Sequence, residues 1–122
     1  MRGRSTIDAD FSTSLSGGAE SILLRVSGRL TIDSSPVLRS DLLQVLSGRP
    51  LKELTIDLAG VSYLDTSGIA TLVEALKVAC RKDTVLRLQN LAERPRYLLE
   101  VTGMLHLFET VASQESSNSK AK

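Results

Sequence analysis

Between Leu51 and Arg81 the apolar residues change their spacing, from every second position to every third or fourth, across the tetrapeptide Asp65-Thr66-Ser67-Gly68. Over "LKELTIDL", Leu54, Ile56 and Leu58 alternate with Thr55 and Asp57, the period of a strand with one buried face. From about Ser67 to Arg81, Ile69, Leu72, Val73, Leu76, Ala79 and Cys80 recur at helical spacing, opposite Thr71, Glu74, Lys77 and Arg81. A strand that leads into a helix returns to its sheet as a parallel neighbour, through a right-handed crossover. The chain is thereby directed to an α/β fold.

The patterns on either side extend this unit. Ile7, Ala9 and Phe11 alternate with Asp8, Asp10 and Ser12, and Ile22, Leu24 and Val26 alternate in "SILLRVSG"; with Gly17-Gly18 near the turn, the two segments read as an antiparallel hairpin. A helix is expected within residues 33–48, with Ser35 as N-cap, Pro36 in the first helical position and Gly48 as a left-handed C-terminal cap. Its buried stripe would be Leu38, Leu42, Val45 and Leu46. Beyond Arg81 the chain predicts a strand over 84–90, a helix in "AERPRYLLEVTG" with Pro95 in its first turn and Gly103 past its end, and a short last strand, "LFETV". The expected order is ββαβαβαβ: a mixed sheet, with an antiparallel N-terminal hairpin and then parallel strands, packed with helices. The folded domain is expected over 7–112, with a flexible N-terminus at 1–6 and a polar, disordered tail at 113–122.

At 122 residues, 42% hydrophobic and 24% charged, the chain suits one domain around one core. Fifteen basic against fourteen acidic residues leave a formal charge of +1, so no direct contact with nucleic acid is expected. The single Cys80 and single His106 exclude an internal disulfide and the usual Cys/His zinc spacings, and neither metal nor cofactor is expected. No apolar run approaches the ~20 residues that cross a bilayer, and none follows "MRGRSTIDADF" as in a secretory signal. The expectation is a cytoplasmic protein without membrane insertion.

The chemistry open to the tetrapeptide is narrow. Thr66 or Ser67 can cap the second helix, which stabilises it by about 1 kcal/mol, and Gly68 lets the backbone pass close to a neighbour. A serine-hydrolase elbow needs glycine two residues before the serine, where this chain has Asp65, and His106 reads as a partly buried structural residue. Aspartic protease loops read Asp-Thr-Gly or Asp-Ser-Gly, a spacing that Ser67 interrupts. There is no phosphate loop with its lysine, no dinucleotide fingerprint and no paired-histidine helix. A site at which another enzyme acts needs less: one reachable hydroxyl at the edge of a partner-binding surface. Cys80 reads as a core residue; Leu98, Leu99, Val101, Met104 and Leu105 read as core packing in preference to an exposed patch used in contacts.

The segments "GRLTID" and "SPVLRSDL" within 28–42, "ELTIDLAGVSYLDTSGIATLVEAL" and "VTGM" resemble the STAS domain, and more closely bacterial anti-sigma factor antagonists, over about residues 7–111. The resemblance implies the STAS-like sheet and a non-enzymatic role. It makes Ser67 the residue phosphorylated by an anti-sigma factor that is a serine kinase, with Asp65, Thr66 and Gly68 shaping its surroundings. The family tends to carry an acid directly after Gly-Glu-Leu or Gly-Glu-Ile in the earlier loop. Here Thr31 of "GRLT" takes that place and Asp33 lies two positions on, and both are counted with the partner-binding residues. The implied cycle is partner switching: the unmodified protein captures the anti-sigma factor and frees sigma, phosphorylation releases the partner, and a serine phosphatase resets Ser67. The same resemblance also allows a STAS interaction module, a cytoplasmic accessory of a transporter or lipid-trafficking complex without a phosphorylation cycle.

Overall fold

The computed structural model describes residues 5–8 and 11–109, the first four by their backbone. Its elements in chain order are β1 (Ser5–Asp8), β2 (Phe11–Gly17), β3 (Ser21–Leu30), α1 (Ser35–Ser47), β4 (Glu53–Leu64), α2 (Thr66–Arg81), β5 (Val85–Gln89) and α3 (Glu93–Val101), followed by helix over 104–109. The strands form one sheet in the order β1-β2-β3-β4-β5, antiparallel from β1 to β3 and parallel from β3 to β5.

The two-residue period of the strands places Leu24 and Val26, Leu54, Ile56 and Leu58, and Leu86 in the interior. Leu38, Leu42 and Leu46 of α1 and Leu72, Ala75, Leu76 and Ala79 of α2 join them in a single core. The alternate positions of the sheet are polar: Arg25 pairs with Asp57 at 3.8 Å, and Arg87 with Glu53. The α/β class, the mixed sheet, the antiparallel hairpin and the parallel strands that follow it are as expected. Gly18 N donates to Ser21 O at 3.0 Å in the turn of that hairpin.

Several details differ from the expectations, each for a physical reason. The segment expected as one strand over 7–12 is divided: 5–8 forms an additional strand antiparallel to β2, and Phe11 begins β2 itself. Ser5 and Thr6 of the expected flexible N-terminus lie in β1, whereas the rest of the expected flexible ends, 1–4 and 113–122, lies outside the described residues, as do Ala9, Asp10 and 110–112. Leu107, Phe108 and Glu109 of the expected last strand are helical, and Leu105 and Phe108, three residues apart, bury one helical face. A segment of five residues is too short for its spacing to settle which element it forms.

The N-cap of α1 is Ser34 rather than Ser35, and Gly48 has φ −79, outside the left-handed region. In α2 the cap is the Asp65 carboxylate rather than a hydroxyl of Thr66 or Ser67. The buried stripe of α2 is rotated from the expected one: Thr71 is buried and Cys80 exposed, because α2 packs against α1 as well as against β4 and β5. Burial of Thr71 is tolerated because its hydroxyl donates to Ser67 O at 3.0 Å. Leu99 and Leu105 are in the core, whereas Val101 and His106 are exposed.

Candidate functional site

Leu30 and Leu64, the last residues of β3 and β4, are partners in the parallel register and are both buried. Asp65 N donates to Leu30 O at 3.1 Å, carrying the ladder one residue further. The segment after each strand therefore starts from the same place, and the N-termini of α1 and α2 converge beyond this end of the sheet. Clefts outside the carboxyl ends of parallel strands are the usual binding positions of α/β sheets. Gly68 allows the close fit here: a Cβ at that position would lie 2.6 Å from Leu64 Cδ1 and 2.8 Å from Leu30 Cγ. With no side chain, the first turn of α2 rests directly on the two leucines.

Asp65 organises the junction with one carboxylate. Its Oδ1 accepts from Ser67 N at 3.0 Å, Gly68 N at 3.2 Å and Ser67 Oγ at 2.6 Å. Its other oxygen accepts from Ile32 N at 3.1 Å, which ties the loop after β3 to the start of α2. Desolvation raises the tendency of this carboxyl to hold a proton, but the hydrogen bonds from Ser67, Gly68 and Ile32 together outweigh it and hold its pKa below the ordinary aspartate value.

Ser67 Oγ also lies 3.1 Å from Ser35 Oγ, while Ser35 Oγ donates to Thr31 O at 2.7 Å. Two hydroxyls own two protons for three contacts, so with one proton donated to Asp65 and the other to Thr31 O, none remains for the contact between the two oxygens. The loop itself is held by Ser34, whose hydroxyl donates to Arg29 O at 2.7 Å and accepts from Thr31 N at 2.9 Å. Thr31 Oγ1 accepts from Asp33 N at 3.3 Å. Ile32 projects outward, 71% exposed.

An open groove of ≈ 510 Å³ runs from this junction between the two helices, lined among others by Ile32, Pro36, Leu43 and Ala70. Ser35, Arg39, Ser67 and Thr71 also face it. Arg39 on α1, within this lining, forms a two-pronged ion pair with Glu74 on α2, Nε to Oε1 at 2.7 Å and the second nitrogen to Oε2 at 2.8 Å. The hydrogen bond from Arg39 lowers the Glu74 pKa, and that to Glu74 raises the pKa of Arg39.

The structure brings Asp65, Ser67, Gly68 and Thr31 into one connected set. Thr66 is exposed next to them. Asp33 is exposed on the same loop, and among the described residues its carboxylate accepts no hydrogen bond from the Ser67 hydroxyl. Sequence reasoning missed Ser35, Ile32 and Arg39 as site residues. Ser35 had a local signal, but for capping; its position opposite Ser67, 32 residues away, has none. Among the described residues no three His, Cys, Asp or Glu side chains are grouped to hold a metal, and no helix is long and apolar enough to cross a membrane.

Residues 13–109 match the family model described as "Mlab, STAS domain". The chain is 33% identical over 98 residues to the anti-sigma-B factor antagonist of Bacillus subtilis, an alignment covering 77% of this chain and 84% of that protein. The crystal structure of an anti-sigma factor antagonist from Mycobacterium paratuberculosis is similar, with a TM-score of 0.69 at 19% identity, covering 77% of this chain and 79% of that one. The fold is shared also with a sulfate transporter family protein from Wolinella succinogenes, at a TM-score of 0.60 and 18% identity, covering 70% and 69% of the two chains.

Proposed function

This chain belongs to the STAS domain family, and we propose that it is an anti-sigma factor antagonist: a cytoplasmic binding protein, not an enzyme, that captures an anti-sigma factor while Ser67 is unmodified. The observation that carries the reading is the Ser67 hydroxyl, half-exposed in an open groove at the start of α2 and held at 2.6 Å by Asp65. The likeness to an anti-sigma-B factor antagonist extends over most of both chains at the level of sequence, whereas the likeness to a transporter family protein is one of fold.

In this reading a serine kinase, the anti-sigma factor itself, binds the groove and presents ATP to Ser67. The Ser67 oxygen attacks the γ-phosphorus, the bond to the bridging oxygen of ADP breaks, and ADP leaves. The hydroxyl proton starts on the line to Asp65 Oδ1, which orients the oxygen for attack, and passes by way of this carboxylate to water as the bond to phosphorus forms. The product carries about −1.5 to −2 charge at the N-terminus of α2, where the helix dipole favours an anion, so the fold is retained. At the interface the same charge is desolvated beside Asp65. Like-charge contact there costs several kcal/mol, and ~3 kcal/mol weakens binding on the order of a hundredfold. A serine phosphatase restores the hydroxyl and, with it, the capacity to bind.

The test is incubation with a cognate serine kinase and ATP, followed by mapping of the modified residue by mass spectrometry. Phosphate is expected on Ser67, and Ser67→Ala is expected to bind the partner while Ser67→Asp binds it on the order of a hundredfold less tightly. A protein left unmodified at Ser67, or equal binding by the two variants, would overturn the reading.

A further inference from the structure

We propose that Arg39 is the receptor for the phosphoryl group on Ser67: in the phosphorylated protein its guanidinium leaves Glu74 and pairs with the phosphate inside the groove. The proposal rests on the reading of Ser67 as a phosphoacceptor and adds to it a phosphate subsite formed by α1.

Two contacts set the geometry. Ser35 of α1 faces Ser67 of α2 at 3.1 Å, and Arg39 faces Glu74 at 2.7 Å. The two helices therefore run side by side in the same direction from their shared origin at the ends of β3 and β4. With a rise of about 1.5 Å per residue, Arg39 stands roughly 6 Å above Ser35, and Glu74 stands roughly 10 Å above Ser67. The Arg39 backbone thus lies between the levels of Ser67 and Glu74, and its side chain reaches upward to form the ion pair. Helical side chains lean toward the N-terminus of their helix, and an arginine turned that way comes down to the level of Ser67.

Among the residues lining the groove, Arg39 is the one with a charged side chain. Its present pairing is exchangeable, because Arg39 is 54% and Glu74 40% exposed, and exposed ion pairs are weak. A phosphate monoester offers nearly two charges and three acceptor oxygens in place of one charge and two oxygens, and it fits the planar guanidinium in the same two-pronged way. Ser35, already in contact with the Ser67 oxygen, would sit beside the phosphate with a hydroxyl that can turn to it.

The exchange alters this surface at two places. A charge appears at the base of the groove, and the Glu74 carboxylate, now without Arg39, is left facing the position of the partner. An interface complementary to the neutral Arg39–Glu74 pair then loses its match at two points for one covalent change.

The experiment uses the full chain with phosphoserine incorporated at position 67 during translation, so that no kinase is needed. The side-chain Nε–H resonance of Arg39 is recorded by NMR for the unmodified and phosphorylated proteins, each with Glu74 and with Glu74→Gln. The substitution is expected to move the resonance in the unmodified protein and to leave it unmoved in the phosphoprotein. A non-specific phosphatase is expected to remove phosphate several-fold faster from the phosphoprotein carrying Arg39→Gln. A resonance that follows Glu74→Gln equally in both states overturns the subsite whatever the phosphatase rate, whereas failure of a kinase to modify Ser67 overturns the preceding reading and is seen separately by mass spectrometry.

Discussion

Asp65 is the residue on which the junction depends, since one carboxylate caps α2, holds the Ser67 hydroxyl and tethers the loop at Ile32. Asp65→Ala is expected to lower the unfolding free energy by about 1–2 kcal/mol, measured by urea denaturation, the range for loss of a good N-cap. The pH dependence follows from the lowered pKa of Asp65. The unfolded chain takes up this proton at a higher pH than the folded protein does, so the stabilisation is complete above the unfolded value, near pH 4, and is lost as pH falls through the folded value. The stability difference between wild type and Asp65→Asn should be constant from neutral pH to about pH 5 and shrink in more acid solution; an unchanged difference at pH 3 would contradict the assignment. Gly68 is the second critical residue. Gly68→Ala should destabilise by about 1–2 kcal/mol despite its better helix propensity, because a methyl group there meets Leu64 and Leu30, both buried and without room to retreat. An unchanged denaturation midpoint would show that the leucines repack freely.

At the scale of elements, β4 and α2 were legible because each repeats its own period over many residues, and the period switches at Asp65. The helix α1 was found from its apolar stripe together with Pro36, and α3 from Pro95 in its first turn and Gly103 past its end; β5 was found as well. The helix over 104–109 was not, since the five residues of "LFETV" are too few to establish a period and the packing of Leu105 and Phe108 decides the element. The orientation of α2 about its axis was also missed: Thr71 turns inward because a second helix covers that side. One polar contact joins elements that a pattern cannot connect. Thr13 Oγ1 of β2 donates to the buried Asp41 Oδ2 of α1 at 2.6 Å, across 28 residues. Thr13→Val removes this donor and is expected to cost about 1–3 kcal/mol, again by denaturation; a neutral effect would mean that the other contacts of Asp41 suffice.

For the whole molecule, the core and the switch are separate. The leucines under the junction belong to the interior, whereas Ser67 opens to the groove. Ser67→Asp and Ser67→Ala should therefore unfold within a few degrees of the wild type in calorimetry while differing widely in partner affinity. A large fall in the midpoint of Ser67→Asp would place the effect of the added charge in the fold instead of the interface.

The α/β class, the β4–α2 unit and the hydroxyl at its junction were determined by sequence alone, because periodicity and the tetrapeptide are local properties of a single stretch of chain. What stands around that hydroxyl was decided by tertiary structure. Ser35 reaches it, and Arg39 lines the same groove, only because β3 and β4 pair in parallel with Leu30 opposite Leu64, which starts α1 and α2 from one point. That register is a choice among many long-range pairings, set by how the two buried faces pack together, and no short segment encodes it.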